Sequence, residues 1–509
     1  MNSNEAHNKL VKRYWQTALV IFILLIFLFL FSQKVDLTNS DLGRHLTNGK
    51  IFFENGMIAN TNLYSYTNSS FPVLNHHWLF GAMLYPIGKI SGFVGISFFF
   101  LLLHFFAGAI VLYLTMKRAG FILGLILFLL ALPLFSSRTE IRPEVFSLFF
   151  SVIYYLILDN SRSVKFLILI PLLQILWVNI HIYFPLGIFL TLSFLIAEIK
   201  LKPRLEFSLR GKRLLVTAVL ATIANLLNPF FINGALYPLH IFNNYGFAVA
   251  ENISPLKIEQ FGMFLPSVYF KIFSIIFFLS LLYGFLHFIK NKAPSRNFIA
   301  HFLISVCLTG LALFAIRNLT LFAFLGTILS SHFLHNLAAS NTLSKVANLK
   351  TYPYLSLLYL IIFGILVIIN PIFWNIKKEN FGFGLKRNNL SSLEFFKKNN
   401  ISGPIFNNYD IGSYLIYGLY PNQKVFVDNR PEAYPSDFFA KTFIPMQESS
   451  EVWKKVDAKY NFNSIFFYKH DLTNFGRQFL ISRTKDPEWS LVYSDNFALI
   501  FIKKNKNER

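Results

Sequence analysis

Apolar stretches alternate with short polar loops along most of the chain, from Tyr14 to Trp374. A helix needs roughly 20 apolar residues to cross the hydrocarbon core of a bilayer. Most of the stretches reach or approach this length, and the shorter ones are typical of helices that tilt or break beside a water-filled cavity. The pattern predicts about eleven transmembrane helices, at residues 15–32, 92–116, 119–135, 143–160, 164–180, 181–198, 212–230, 267–289, 297–316, 318–336 and 353–374.

The loops between these predicted spans are of two alternating kinds. One kind is basic, as is the N-terminal segment, and comprises residues 117–118, 162–165, 200–213, 290–296 and 345–350. The other kind carries most of the remaining polar side chains, including Asp41, His45, His76, His77, Arg138, Glu140, Arg142, His181, Asn228, Glu251, Glu259 and Arg317. Basic loops stay in the cytoplasm. We therefore predict a multi-pass cell-membrane protein with a cytoplasmic N-terminus, an extracytoplasmic C-terminus and the polar set at the outer face.

This distribution of polar residues separates several classes of membrane protein. A channel would spread polar residues along the spans, and a transporter or lipid flippase would place charges and Gly/Pro breaks near mid-membrane in paired halves. The predicted spans carry hardly any charge and show no paired halves. An enzyme that acts on a membrane-borne substrate would gather polar groups at one surface, as here. A non-catalytic scaffold of a cell-envelope assembly complex is the alternative that the pattern leaves open.

Composition supports the membrane interpretation. Hydrophobic residues make up 54% of the 509 positions and charged residues only 14%, and 61 phenylalanines exceed what a soluble core needs. The net charge of +22 is explained by basic loops at anionic lipid headgroups, and no motif indicates a nucleic-acid partner. The single cysteine, Cys307, lies in a predicted span and excludes an intrachain disulfide. Residues 17–31 lack a cleavage site and are predicted to be a retained first span.

Two of the predicted outer segments are too long to be simple turns. The first covers residues 32–90, with short helices expected at 41–53 and 79–87. The second is the tail from residue 375, whose short β-branched and aromatic runs are typical of strands; strands are expected at 424–427, 464–468, 490–493 and 498–502, and helices at 392–398 and 411–417. The sequence therefore predicts a mainly α transmembrane domain, 1–374, followed by a small extracytoplasmic α/β domain, 375–509.

The first long loop carries several candidates for catalysis and substrate contact. Asp41 precedes His45 by four positions, which places both on one face of a helix. Desolvation near a membrane would raise the pKa of Asp41 and suit it to act as a general base; the alternative is that Asp41 caps the helix that follows. His76 and His77 are candidates for substrate contact or, less favoured, for metal binding. Trp78 beside them is a candidate for stacking on a sugar.

Arginines in the other outer loops are candidates for phosphate binding. Arg138, Glu140 and Arg142 lie between two predicted spans, where unpaired charge is costly. Arginine matches phosphate oxygens bidentately, but a self-contained ion-pair cluster would explain the same residues. His181 and Arg317 occupy two further loops on the same predicted side. In the tail, the Asp428–Arg430 pair follows a predicted strand end and either contacts an acceptor or fixes the turn.

Several of these segments together resemble a known superfamily. They are the first loop from Asn39 to Leu79, RPE (142–144), WVNIH (177–181), LLNPF (226–230), RNLTLF (317–322) and the tail segment from Asn408 to Tyr434 with VDNR (427–430). In this order they resemble bacterial multi-pass membrane proteins of the GT-C glycosyltransferase superfamily, distantly similar to the oligosaccharyltransferase, protein O-mannosyltransferase and lipid A aminoarabinose transferase groups.

The resemblance implies a fold and a reaction. It implies a GT-C-like membrane domain, a polyprenyl-phosphate-linked sugar as donor, and inverting transfer at the outer face to an envelope acceptor that is a glycan, a lipid or a protein. The acidic residue of the first loop, here Asp41, is the implied catalytic group. Relatives often carry a second acidic residue just before it, where this chain has Asn39 and Ser40. This departure argues against a two-carboxylate metal site, so a divalent cation is an optional cofactor that the sequence does not require.

Overall fold

The computed structural model describes residues 3–38, 41–160, 164–200, 206–243, 245–262, 264–291, 297–338 and 377–504. The predicted span at 353–374 and the basic loop at 345–350 lie outside these residues. In the described part the chain is mostly helical up to Ala338, and a four-stranded sheet follows after residue 404. This division agrees with the predicted mainly α membrane protein with a C-terminal α/β portion.

Thirteen α-helices are described before residue 339. They are α1 Ser3–Phe31, α2 Leu42–Asn55, α3 Trp78–Ala119, α4 Phe121–Phe135, α5 Glu144–Asp159, α6 Leu169–Ile180, α7 Pro185–Ile196, α8 Leu209–Ala224, α9 Phe231–Leu236, α10 Leu265–Asn291, α11 Phe298–Phe314, α12 Leu319–Phe333 and α13 His335–Ala338. Two short strands, β1 Ile199–Lys200 and β2 Glu206–Phe207, pair antiparallel between α7 and α8.

Three of the described helices are long and apolar enough to cross a membrane, over Lys9–Phe31, Trp78–Ala119 and Leu265–Lys290. Shorter apolar helices occur at Phe121–Phe135, Lys165–Ile180, Pro185–Ile196 and Phe298–Phe314. The described predicted spans are therefore helical, but several are shorter than predicted. The span predicted at 212–230 ends as a helix at Ala224. The chain turns there: the Asn225 side chain accepts from the Gln174 amide, and the Asn228 side chain bonds to the backbone of Asn225 and Phe230.

The helix predicted at 79–87 and the span predicted at 92–116 run together as α3. Gly92 interrupts this 42-residue helix with φ of 60° and ψ of −160°, a conformation that glycine adopts readily. The first part of α3 therefore turns away from the apolar second part at the position where the sequence predicts a break. This kink lets residues 78–91 lie beside α2 while residues 93–119 continue as a span.

Close backbone contacts fix helix α2, which the sequence predicts at 41–53. A Cβ atom at Gly49 would lie 2.2 Å from the carbonyl oxygen of Gly81 in α3, and one at Gly81 would lie 2.4 Å from that of His45. On the other side, a Cβ at Gly43 would lie 2.6 Å from the carbonyl oxygen of Ser413 in the tail. Three glycines therefore allow α2 to be clamped between α3 and the tail, which holds Asp41 at the junction.

The tail contains a four-stranded sheet with six helices around it. The helices are α14 Ser391–Lys398, α15 Gly412–Leu419, α16 Ser436–Phe438, α17 Pro445–Glu448, α18 Ser450–Tyr460 and α19 Asn474–Thr484. The strands are β3 Ile405–Asn407, β4 Ser464–Tyr468, β5 Trp489–Ser494 and β6 Ala498–Lys503, in the order β3-β4-β6-β5. Only the β3–β4 pair is parallel.

One predicted strand is wrong. Residues 424–427 form no strand, and β3 at 405–407 takes the parallel position beside β4 instead. The apolar run at 424–427 is buried because it lies against the first long loop: Val425 N donates to Tyr64 O at 3.0 Å and Tyr66 N to Val425 O at 3.2 Å. The run therefore joins the tail to the first loop through one isolated bridge rather than extending the sheet.

Candidate active site

Asp41 lies at the N-terminal end of α2, on the surface where that helix meets the tail. It occupies the capping position, but its side chain makes no capping hydrogen bond. Instead, the Asn429 side-chain amide donates to Asp41 Oδ1, and Arg44 Nη2 lies 3.8 Å from Asp41 Oδ2. The capping role that the sequence left open is therefore not the one that this carboxylate performs.

The surroundings of Asp41 change its acidity. Burial raises the pKa of the Asp41 carboxyl, and Arg44 and Arg142 partly oppose this effect, while Glu251 and Glu144 add to it. The side chain nevertheless keeps 30% of its surface exposed. An accessible carboxylate with a raised pKa binds a proton more strongly than an ordinary aspartate, which is the property that a general base requires.

Two arginines of the loop between α4 and α5 share one carboxylate. Arg138 donates to Glu144 at 2.9 Å and to Glu251 at 2.7 Å, and Arg142 Nη1 lies 2.5 Å from Glu251. Glu140 is 4.0 Å from Arg138 and half exposed. Burial lowers the pKa of both guanidinium groups, but the carboxylates outweigh it and keep them charged. The ion pairs expected in the alternative interpretation therefore do form.

These pairs do not remove the arginines from the cavity. Arg138, Arg142 and Arg317 line one small cavity of about 40 Å³, together with His104, Glu140, Glu144, Val145, Ser147, Leu148, Tyr183, Thr320 and Leu321. Arg317 donates to the Asn252 side chain. Arg142 also lines a second cavity of about 180 Å³, which includes Leu42 beside Asp41. The three arginines therefore converge, although 179 residues of sequence separate Arg138 from Arg317.

The four predicted site histidines form a chain of ring contacts. The His76 and His77 ring centroids are 3.9 Å apart, and the ring of His77 lies 5.5 Å from His45 and 5.4 Å from His181. Ser147 fixes His181 through a 2.7 Å hydrogen bond to Nδ1. Burial lowers the pKa of His45 and His77 well below the usual value and that of His76 to about 4. At neutral pH these three imidazoles are uncharged.

Trp78 connects this group to the neighbouring helices. Its indole Nε1 donates to Asn179 Oδ1 at 2.7 Å, and its ring lies 5.3 Å from that of Phe52. Asn179 in turn donates to the carbonyl oxygen of Leu227 at 2.9 Å. Trp78 thus holds the start of α3 against the end of α6. The stacking of Trp78 on a sugar remains a prediction.

The Asp428–Arg430 pair is buried and makes a bidentate contact. Arg430 Nε donates to Asp428 Oδ1 at 2.8 Å and Nη2 donates to Oδ2 at 2.7 Å, and the same Nη2 bonds Asn62 Oδ1 at 2.9 Å. Asp428 is fully buried and Arg430 is 6% exposed. This geometry is that of a pair that fixes the turn, and it holds Asn429 against Asp41.

Sequence reasoning missed three residues near Asp41. The sequence places Glu251 only among the outer polar residues and Asn429 only in the VDNR segment, whereas Glu251 links the two arginines and Asn429 bonds Asp41. Asp410, in the tail segment NYD, has a pKa raised to about 7 by burial and by Asp471, Asp41 and Glu251. The NYDIGSY and VDNR segments both contain acidic and amide residues, which is the signal that the sequence offers. Only the fold brings these residues to Asp41.

The carboxylates around Asp41 are already engaged by amide and guanidinium partners. Among the described residues, a group of three His, Cys, Asp or Glu ligand atoms within 4.8 Å of one another occurs only elsewhere in the chain. One Asp41 oxygen is already occupied by the Asn429 amide, and both carboxylate contacts of Glu251 are to arginines.

Comparison with solved structures identifies the fold. The chain matches the archaeal oligosaccharyltransferase AglB from Archaeoglobus fulgidus, in complex with an inhibitory peptide and a dolichol-phosphate, over 90% of its own length and 70% of that chain, with a TM-score of 0.58 and 14% identity. It has the GT-C fold. A second structure of the Archaeoglobus oligosaccharyltransferase, tethered to an acceptor peptide, matches over 97% of this chain and 74% of that chain, with a TM-score of 0.60 and 13% identity.

A third structure of the Archaeoglobus enzyme, in complex with Zn and sulfate, matches over 86% of this chain and 64% of that chain, with a TM-score of 0.54 and 14% identity. No protein-family model and no curated protein significantly matches the sequence. The GT-C resemblance expected from the motifs is thus confirmed by structure over nearly the whole chain, helical part and tail together. Apolar helices and this fold make the protein a membrane protein.

Proposed function

We propose that this protein is a membrane glycosyltransferase that transfers a sugar from a polyprenyl-phosphate-linked donor to an envelope acceptor, with inversion and with Asp41 as base. The observation that carries the proposal is a partly exposed, desolvated Asp41 whose carboxyl interacts electrostatically with Arg142, one of three arginines that line a cavity. A base and a cluster of phosphate-binding cations are the two groups that such a transfer needs. The similarity in fold to the Archaeoglobus oligosaccharyltransferase supports the proposal.

These groups account for every bond and every proton in the transfer step. The acceptor O–H or N–H gives its proton to the Asp41 carboxylate as the acceptor atom forms a bond to the anomeric carbon of the sugar. The bond between that carbon and the donor phosphate oxygen breaks, and its electron pair goes to the phosphate. Arg142, Arg138 and Arg317 stabilise the charge that develops there. Attack from the face opposite the phosphate inverts the anomeric carbon.

Glu251 orients two arginines of the cluster in this proposal. Its carboxylate accepts from Arg138 and Arg142 together, so it holds their guanidinium groups side by side at one wall of the cavity. Arg142 Nε is buried and has no hydrogen-bond partner among the described residues. One edge of Arg142 is therefore available for a phosphate oxygen while the other edge stays anchored.

The acceptor and the remaining site residues are part of the same proposal. The Archaeoglobus relative was crystallised with dolichol-phosphate and with an acceptor peptide, which favours a lipid-linked donor here and makes a protein one acceptor class beside glycans and lipids. His45, His76, His77 and His181, whose rings contact one another, are proposed to contact the sugar. Trp78, Asp428 and Arg430 are proposed to support these contacts.

We further propose the topology of about eleven spans, with domains 1–374 and 375–509. In this topology Asp41 and the arginine cavity lie at the outer face. Reporter fusions after Arg118, Arg213 and Lys292 are expected to report the cytoplasm, because basic loops are retained there. Fusions after Glu140 and Lys386 are expected to report the exterior. A cytoplasmic signal at Lys386 would contradict the topology and the location of the reaction.

The charge of Arg44 sets the pH range in which Asp41 acts. Arg44 opposes the rise in the Asp41 pKa, so removing its charge in Arg44→Gln raises that pKa further. Because the base works only when deprotonated, activity is lost as pH falls through this pKa, and the acid limb of the rate–pH profile is expected to move to higher pH. Lys50→Gln, half exposed on the same helix, is the control. An unchanged acid limb in Arg44→Gln would argue against Asp41 as the base.

The proposed reaction has a product that does not depend on the identity of the sugar. Membranes that contain the protein should release polyprenyl phosphate or its diphosphate from their pool of lipid-linked sugars faster than membranes without it. Liquid chromatography with mass spectrometry measures this release directly. Equal release with and without the protein, at verified expression, would favour the non-catalytic scaffold, which is the second function that the fold accommodates.

A further inference from the structure

A second polar cluster lies at the opposite end of the helices from Asp41. Helix α5 has 16 residues; it begins with Glu144 at the arginine cavity and ends with Asp159, so its two ends belong to different sites. Around Asp159 lie His301, near the start of α11, His332, near the end of α12, and Arg118, near the end of α3. The proposed function uses none of these four residues.

The distances in this cluster are those between neighbouring ligands of a metal ion. Asp159 Oδ1 lies 3.2 Å from His332 Nε2 and 3.5 Å from His301 Nε2, and one ligand atom from each residue lies within 4.8 Å of the other two. Zinc binds nitrogen at about 2.0–2.1 Å and carboxylate oxygen at about 2.0–2.2 Å in a tetrahedron, which separates neighbouring ligand atoms by roughly 3.4 Å. The two measured distances bracket that value.

Several buried polar atoms here have no hydrogen-bond partner among the described residues. They are His301 Nε2, Tyr155 Oη and Asn297 Oδ1. His301 is 1% exposed, and its Nε2 lies 3.5 Å from Asp159 Oδ1, at the limit of hydrogen-bond distance. Buried polar atoms are normally satisfied, so unsatisfied atoms on His301 and on two residues that contact His301 or Asp159 indicate a bound species. The rings of His301 and His332 are 3.7 Å apart, and Tyr155 lies over His301 at 5.8 Å.

The remaining contacts leave one carboxylate oxygen directed at the histidines. Arg118 pairs with Asp159 Oδ2, whereas Oδ1 faces the two imidazoles and also accepts from the Asn297 amide at 3.2 Å. Arg118 therefore acts as an outer partner that orients the carboxylate, an arrangement common around metal ligands. His335 binds the backbone oxygen of Arg118 at 2.7 Å and lies outside the three-residue group.

We propose that Asp159, His301 and His332 bind one divalent transition-metal ion of the zinc class. Two imidazoles and one carboxylate suit such ions, whereas Mg²⁺ and Ca²⁺ take oxygen ligands. Three protein ligands leave a fourth position for water. The ion would tie the ends of α5, α11 and α12 together and thereby brace α5 and α12, whose other ends line the arginine cavity.

Zinc titration of the full-length protein in detergent, after removal of metal by a chelator, tests this site. The four histidines near Asp41 can also take up zinc, so the comparison is between variants rather than with zero. The wild type and His335→Ala are expected to retain one equivalent of zinc more than His332→Ala, measured by elemental mass spectrometry after gel filtration. Affinity of that equivalent is expected to fall at least about 100-fold in His332→Ala.

Thermal unfolding gives a second readout that is independent of activity. Zinc is expected to raise the Tm of the wild type and of His335→Ala, because a ligand that binds only the folded state stabilises it. It should raise the Tm of His332→Ala and of Asp159→Asn, a milder variant that keeps the shape of the side chain, by less. Equal zinc content and equal Tm shifts in all four proteins would overturn the proposal and leave a hydrogen-bonded cluster.

Discussion

Asp41→Asn is expected to lower the rate of sugar transfer by about 10²- to 10⁴-fold, the usual contribution of a general base. The amide keeps the size of the side chain but cannot accept the acceptor's proton. Its neighbours would tolerate the change, since Asp41 makes no capping hydrogen bond and α2 is held by glycine contacts with α3 and the tail. Donor binding should stay within a few-fold of the wild type, because the arginines that bind phosphate are unchanged.

The matched control for this substitution is Glu54→Gln. Glu54 lies at the far end of the same helix, is half exposed and is 4.0 Å from Lys50. The same loss of one negative charge from α2 should leave transfer unchanged. Purified proteins with equal thermal stability and a labelled lipid-linked donor give the comparison. Full turnover by Asp41→Asn would remove Asp41 from the mechanism.

Arg142→Lys is expected to weaken binding of the lipid-phosphate donor by about 10- to 100-fold, corresponding to the loss of a charged hydrogen bond of about 1.5–3 kcal/mol. Lysine keeps the positive charge but cannot bind Glu251 and a phosphate oxygen through separate edges of one planar group. The effect should appear in KM for the donor more than in kcat, because the hydrogen bond to the phosphate is lost from both the ground state and the transition state.

Arg213→Lys, an exposed position at the start of α8, is the control for the same chemical change away from the cavity. Titration of polyprenyl phosphate against both variants separates the two positions. Unaltered affinity in Arg142→Lys would mean that Arg142 serves only its ion pair with Glu251. The phosphate contact would then have to be made by Arg317 or by His76 and His77.

The sequence predicts much of the helical part because its signals are local. Apolar length and loop charge depend on neighbouring residues, and α2, α14 and α15 lie within two residues of their expected bounds. The strand error at 424–427 arises because an apolar run records burial and not the partner that buries it. Here the partner is Tyr64 and Tyr66 of the first loop, about 360 residues earlier in the chain.

The candidate site shows the same limit. Asp41, Arg142 and Arg317 could be selected individually because charges beside apolar spans are costly. The hydrogen bond from Asn429 to Asp41 crosses 388 positions, and the link between Arg138 and Arg142 passes through Glu251, more than 100 residues away. Such contacts follow from how the tail packs on α2, which no local pattern encodes.

The most direct test of the proposed function is mass spectrometry of envelope glycans, lipids and proteins from cells that lack this protein, complemented with the wild type, Asp41→Asn or Glu54→Gln at equal expression. The account predicts that one glycosylated product disappears in the deletion strain and that its unused lipid-linked donor accumulates. The wild type and Glu54→Gln should restore the product, and Asp41→Asn should not. Full restoration of the product by Asp41→Asn would contradict the account.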